Sequence, residues 1–71
     1  MRYVAKLFGR EIPAPVYGYG ATDGAAVFDA VEALGAEPPA DVLLTVYREE
    51  DDGAVEVAYV MGYGRYCVET E

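Results

Sequence analysis

Val42-Leu-Leu-Thr-Val-Tyr-Arg-Glu-Glu-Asp-Asp-Gly-Ala-Val-Glu-Val-Ala-Tyr-Val-Met61 reads as two strand-forming runs, Val42 to Glu49 and Val55 to Met61, around an acidic turn. β-Branched and aromatic residues dominate both runs, and Asp52-Gly53 supplies the positive-φ glycine of a hairpin. Side chains alternate across a strand, so parity fixes the faces. With a two- or four-residue loop, Val46 shares a face with Val57 and Tyr59, and Leu44 with Tyr59 and Met61; a three-residue loop breaks this match. A turn within Gly62-Tyr63-Gly64 would return the chain along a third strand carrying Tyr66 and Val68 on that same face, which makes the C-terminal half an antiparallel meander.

Upstream, Thr22 and Asp23 are N-cap residues ahead of an alanine-rich run that ends at Leu34. Val27, Ala30, Val31 and Leu34 recur at i, i+3, i+4 and i+7 and form one apolar stripe flanked by Phe28, while Asp29 and Glu32 point away. Gly35 suits the left-handed position after the helix, and Pro38-Pro39 forbids its continuation. The segment Arg2 to Phe8 is rich in strand formers and is expected to join the sheet at an edge. Gly9-Arg10 can turn it back, and Pro13 and Pro15 restrict the return arm to an edge strand or an irregular crossing. The fold expected is a single α+β domain over residues 1–71, a two-layer sandwich with an antiparallel sheet of about four to five strands and one helix packed on one face. Its core would gather the helix stripe on Val42, Leu44, Val46, Val57, Tyr59, Met61, Tyr66 and Val68.

One helix cannot cover both faces of such a sheet. The second face would carry Leu43, Thr45, Tyr47, Ala58, Val60 and Cys67 beside Glu49, Glu56 and Glu69. A half-apolar face of this kind marks a contact site. Leu43, Tyr47 and Val60 are therefore expected at an interface with a second copy of the chain or with a target, unless the N-terminal segment folds across them. Small size strengthens the argument: a chain near 60 residues buries only about 60% of the surface its unfolded form exposes, so self-association is one route to stability.

The net charge is −8 and it is segregated. Residues 1–20 carry Arg2, Lys6, Arg10 and Glu11, for +2, whereas twelve acids against Arg48 and Arg65 give residues 21–71 a charge of −10. Such an excess repels phosphate backbones and anionic headgroups and favours a basic protein or nucleoprotein complex as partner, not nucleic acid or membrane. Acidity also serves solubility alone in many proteins. The apolar stretch between Arg2 and Lys6 is too short for a signal peptide, no segment approaches a membrane span, and Cys67, the lone cysteine, cannot form an intramolecular disulfide. A soluble, unprocessed cytoplasmic protein is expected.

Catalytic chemistry has few of its usual groups, since the chain has no histidine. Cys67 reads as a semi-buried thiol, and Glu49-Glu50-Asp51-Asp52 lacks the alternating ligand pattern of a calcium loop. Gly18-x-Gly20-x-x-x-Gly24 lacks an adjacent cation for a dinucleotide phosphate, and Asp23 would occupy its place, so these glycines read as turn residues before the helix cap. No enzyme activity, cofactor or metal is expected. Tyr17, Tyr19, Tyr63 and Tyr66 adjoin glycine and are candidates for exposure, with Tyr59 and Tyr66 as a core pair.

From the strand at Arg2–Phe8 through the helix at Thr22–Leu34 to the segment Val42–Glu69, the chain resembles small phage-encoded antagonists of bacterial defence, including some anti-CRISPR proteins. The resemblance is one of size, acidity and layout and covers most of the chain. It implies an inhibitor that occupies the nucleic-acid path or an assembly surface of an effector complex. Glu49, Glu50, Asp51 and Asp52, with Glu56 and Glu69 farther down the same sheet face, are then the expected partner-binding residues, an anionic ridge of the density that duplex DNA presents. The alternative is a homo-oligomeric structural or adaptor protein that uses the second sheet face as its interface.

Overall fold

The computed structural model describes residues 2–69. Strands β1 (Arg2–Phe8) and β2 (Val16–Gly20) precede helix α1 (Asp23–Leu34); strands β3 (Leu43–Glu49) and β4 (Val55–Gly62) follow, and a short helix α2 (Tyr63–Glu69) ends the described chain. The sheet has four strands in the order β2-β1-β3-β4, every neighbour antiparallel. With α1 packed on one face, this is the α+β two-layer sandwich that the alternation predicts.

The ends of α1 follow the sequence signals. Thr22 takes an extended conformation and its Oγ1 accepts a hydrogen bond from Ala25 N at 3.1 Å, satisfying one of the donors that a helix start leaves free. Gly35 adopts φ 80°, and its N–H donates to the carbonyls of Val31 and Glu32. Between these caps Ala26, Val27 and Ala30 are buried, and Val31 and Leu34 pack against the core from its margin.

β1 lies in the middle of the sheet, not at the edge expected of it, because Val16–Gly20 pairs along its outer side while β3 pairs along the other; its Ala5 and Leu7 are fully buried beneath α1. The edge is taken by β2. Tyr17 and Tyr19 point away from the helix, whereas Gly18 and Gly20 lie under it, so the glycines read as turn residues are strand residues. Their role is steric: a Cβ on Gly18 would fall 2.1 Å from Ala30 N and 2.3 Å from Ala26 O, so α1 rests directly on the backbone of β2. Residues 9–15 form the irregular crossing allowed by Pro13 and Pro15, and Ile12 drops from it into the core without covering the second face.

Leu7, Val42, Leu44 and Val46 are the largest fully buried side chains, and each contributes about 1.5–3 kcal/mol relative to exposure. Leu44 opposes Met61 and Val46 opposes Tyr59, as parity requires. Beyond this point a β-bulge at Val46/Tyr47 shifts the register, so that Tyr47 opposes Val57 and Arg48 opposes Glu56. Val57 is thereby turned out of the expected core and Glu56 is turned onto the helix-side face.

The third meander strand does not form. At Tyr63 the chain turns straight from β4 into α2. Tyr63 N donates to Val42 O at 2.7 Å and Gly64 N to Ala40 O at 3.0 Å, which pins the start of the helix to the segment before β3. Tyr63, Tyr66 and Cys67 then fall at i, i+3 and i+4 on the half-buried side, and Val68, expected in the core, is 74% exposed. The Tyr59–Tyr66 pair does form, with ring centroids 6.1 Å apart and planes inclined by 15°.

Candidate binding surface

The face of the sheet opposite α1 has nothing of the described chain over it. Register places its side chains in rows across the four strands. Tyr19, Val4, Tyr47 and Val57 form one row and Tyr17, Lys6, Thr45 and Val60 the next; Phe8 and Leu43 follow toward one end, and Arg2, Glu49 and Val55 close the other. Tyr17, Tyr19 and Val60 are 46%, 49% and 58% exposed, whereas Thr45 is buried between its neighbours. Leu43, Tyr47 and Val60, the residues expected at an interface, thus lie together here. Cys67, expected beside them, is on α2, and Ala58 falls at the bulge.

The N-terminal cations are spread over these rings. Arg2 Cζ lies 5.0 Å from the centroid of Tyr19, and Lys6 Nζ lies 5.0 Å from that of Phe8 and 6.0 Å from that of Tyr17. These distances are within the reach of cation–π attraction. The surface is an aromatic sheet with two basic heads laid along it, in contrast to the acidity of the molecule as a whole. Sequence reasoning missed Val4, Lys6 and Phe8 because it placed β1 at the edge.

The six acids expected to form an anionic ridge are not brought onto one face. Glu49 is on the open face and pairs with Arg2 at 2.9 Å, which raises the guanidinium pKa above its ordinary value through hydrogen bonding and charge. Arg48 pairs with both Glu56 and Glu50; its hydrogen bond to Glu56 is the main cause of its raised pKa. The bulge is the physical reason for the departure, because it aligns Glu56 with Arg48 on the helix-side face. Glu69 lies on α2, off the sheet. Asp51 and Asp52 remain at the exposed hairpin tip, where Asp52 Oδ1 accepts from Ala54 N at 2.9 Å and Gly53 takes φ 85°.

Among the described residues no group of three or more His, Cys, Asp or Glu side chains could hold a metal ion, and no helix is long and apolar enough to cross a membrane. Cys67 is half-buried and unbridged, and its thiol is the first cause of the raised pKa of the Tyr63 phenol. No protein-family model matches the chain, and no match was found among curated proteins or solved structures, so the reading of this surface rests on its own residues.

Proposed function

We propose that the chain is a non-catalytic binding protein that docks on a basic partner protein through the open sheet face, with the acidic hairpin tip at the rim of the contact. One observation carries this reading: the open face carries exposed Tyr17, Tyr19, Leu43, Val55, Val57 and Val60 beside half-buried Val4, Phe8 and Tyr47, with nothing of the described chain over them. Aromatic residues are enriched at protein interfaces, and Tyr and Arg are enriched among the residues that dominate their energy.

Four strands about 4.8 Å apart and seven residues rising about 3.3 Å each give a planar footprint of ~440 Å², and side-chain relief makes its accessible surface larger. A partner reaching the tip at Asp51 and Asp52 gains area and charge complementarity together, and the net charge of −8 accelerates its approach. In its most specific form the proposal is an inhibitor of a nucleic-acid-binding bacterial defence complex, since a protein that binds nucleic acid offers the basic surface this rim requires.

Affinity capture from a bacterial lysate at low and high salt tests the reading. A basic nucleic-acid-binding protein should be retained at low salt, lost in part at high salt, and lost from the Tyr47→Ala/Val60→Asp variant. Recovery of the chain's own copies alone, with a dimer seen by light scattering, would replace the inhibitor with a homo-oligomer. Retention unaffected by that variant would remove the sheet face from the account.

A further inference from the structure

α1 and α2 lie on the same side of the sheet without closing on each other, and the space between them is a cavity of about 360 Å³. Val27, Phe28 and Val31 of α1, Tyr63 and Tyr66 of α2, and Glu37 from the link after α1 form most of its wall. This volume is within the range of small-molecule sites, which are mostly apolar with a few placed polar groups. Phe28 contributes to the wall while remaining 65% exposed, so its ring is accessible to an incoming molecule.

The charge of the wall has one sign. Among the described residues that line it, Glu37 is charged and none is lysine or arginine. The phenols are neutral at physiological pH. Tyr63 is pushed up to about 12, first by the Cys67 thiol and by burial and then by the field of Glu37. Burial and then Asp23 raise Tyr66. The Asp23 carboxylate at the start of α1 and the Glu37 carboxylate in the link after it therefore act on the same pair of tyrosines, whose neutral rings offer electron-rich faces.

We infer that this cavity is a binding site for a small organic cation, whose aliphatic or aromatic body would rest on Val27, Phe28 and Val31 while its ammonium faces the Glu37 carboxylate and the tyrosine rings. A neutral molecule of the same shape finds the apolar wall but gains nothing from the carboxylate. An organic anion is repelled by it. The site is on the helical side of the sheet, away from the open face, and it stands or falls independently of the docking proposed there.

Titration of the isotope-labelled protein with 2-phenylethylamine, followed by amide chemical shifts, tests the inference. Saturable shifts are expected around Val27, Val31, Tyr63 and Tyr66. 2-Phenylethanol should bind about fivefold more weakly, as for loss of a partly exposed charge pair, and Glu37→Gln should remove the difference. Val31→Phe fills the cavity and should abolish both titrations while the spectrum stays dispersed; if that variant fails to fold, the Glu37→Gln comparison decides alone. The inference is overturned if the amine shifts do not saturate, if 3-phenylpropionate binds as tightly as the amine, or if the amine keeps its advantage in Glu37→Gln.

Discussion

The two faces of the sheet are made by the same four strands, yet they distribute side-chain size in opposite ways. Under α1, β2 presents Gly18 and Gly20, β1 presents Ala5, and the helix answers with Ala26 and Ala30, so that backbones come close together. On the other face the same strands raise Tyr17, Tyr19 and Phe8, with Tyr47 beside them on β3. An ordinary half-buried sheet keeps its large apolar groups inside. Here Tyr3 and Tyr59 keep their rings against the core, but Tyr17, Tyr19, Phe8 and Tyr47 hold theirs on the uncovered side, where they contribute little to it. A half-apolar face of this kind is where contact sites are found, which supports the docking proposed for it.

The contrast can be broken most severely at Gly18. Gly18→Ala places a methyl 2.1 Å from the backbone nitrogen of Ala30, and backbone cannot step aside as a side chain can. A loss of more than about 3 kcal/mol is expected, with the cooperative thermal transition followed by circular dichroism disappearing or moving far down. Next in size, Leu44→Ala removes a fully buried side chain from the covered face and should cost about 2–5 kcal/mol in urea unfolding at unchanged m-value.

An alkaline titration sharpens the comparison from the helical side. The Tyr63 phenol ionises near 10 when exposed and is pushed up to about 12 in the fold by the Cys67 thiol and by burial. Its raised pKa means that the folded state holds this proton longer than the unfolded state. The stability it contributes is fully present below pH 10, declines as pH rises through the window from 10 to about 12, and is lost above it. Tyr63→Phe should flatten that part of the stability curve, measured by denaturant midpoint against pH. The smallest effect on folding belongs to the open face: Tyr17→Ser with Val60→Ser should change stability by no more than about 1 kcal/mol in urea unfolding. If the open face docks a partner as proposed, the same pair should weaken its capture at least about tenfold, as expected when an interface tyrosine is lost.

How much of this was legible in the chain differs from element to element. Thr22, Gly35 and the i, i+3, i+4 stripe define α1 by local chemistry, so its ends were readable, as were the pairings of Leu44 with Met61 and Val46 with Tyr59 in parity. Leu43, Tyr47 and Val60 followed from the same alternation. Gly18 and Gly20 were not readable as strand residues, because a glycine required by close approach of a distant helix looks the same in sequence as one required by a turn. The period-two spacing of Tyr17 and Tyr19 between them was the available signal. α2 was missed for a related reason: Gly62 and Gly64 resemble a turn and Tyr66-Cys67-Val68 resembles a strand. What decides is the anchoring of Tyr63 N and Gly64 N on Val42 and Ala40, which is tertiary. The opposite charges of Arg48 and Glu56 were a hint of the shifted register, since cross-strand pairing of unlike charges favours it.

The bulge at Val46/Tyr47 gives the hairpin a property that side-chain chemistry alone would not. It leaves Ala58 without an opposite number, so the half of β4 nearest the tip is rotated relative to the half nearest α2. Pairing the same residues without the bulge, with Ala58 opposite Tyr47, would swing Val55 and Val57 underneath and carry Glu56 outward, leaving Leu44, Val46, Tyr59 and Met61 where they are. One unpaired residue thus acts as a vernier for the hairpin's outward display, set separately from the layer that keeps the chain folded.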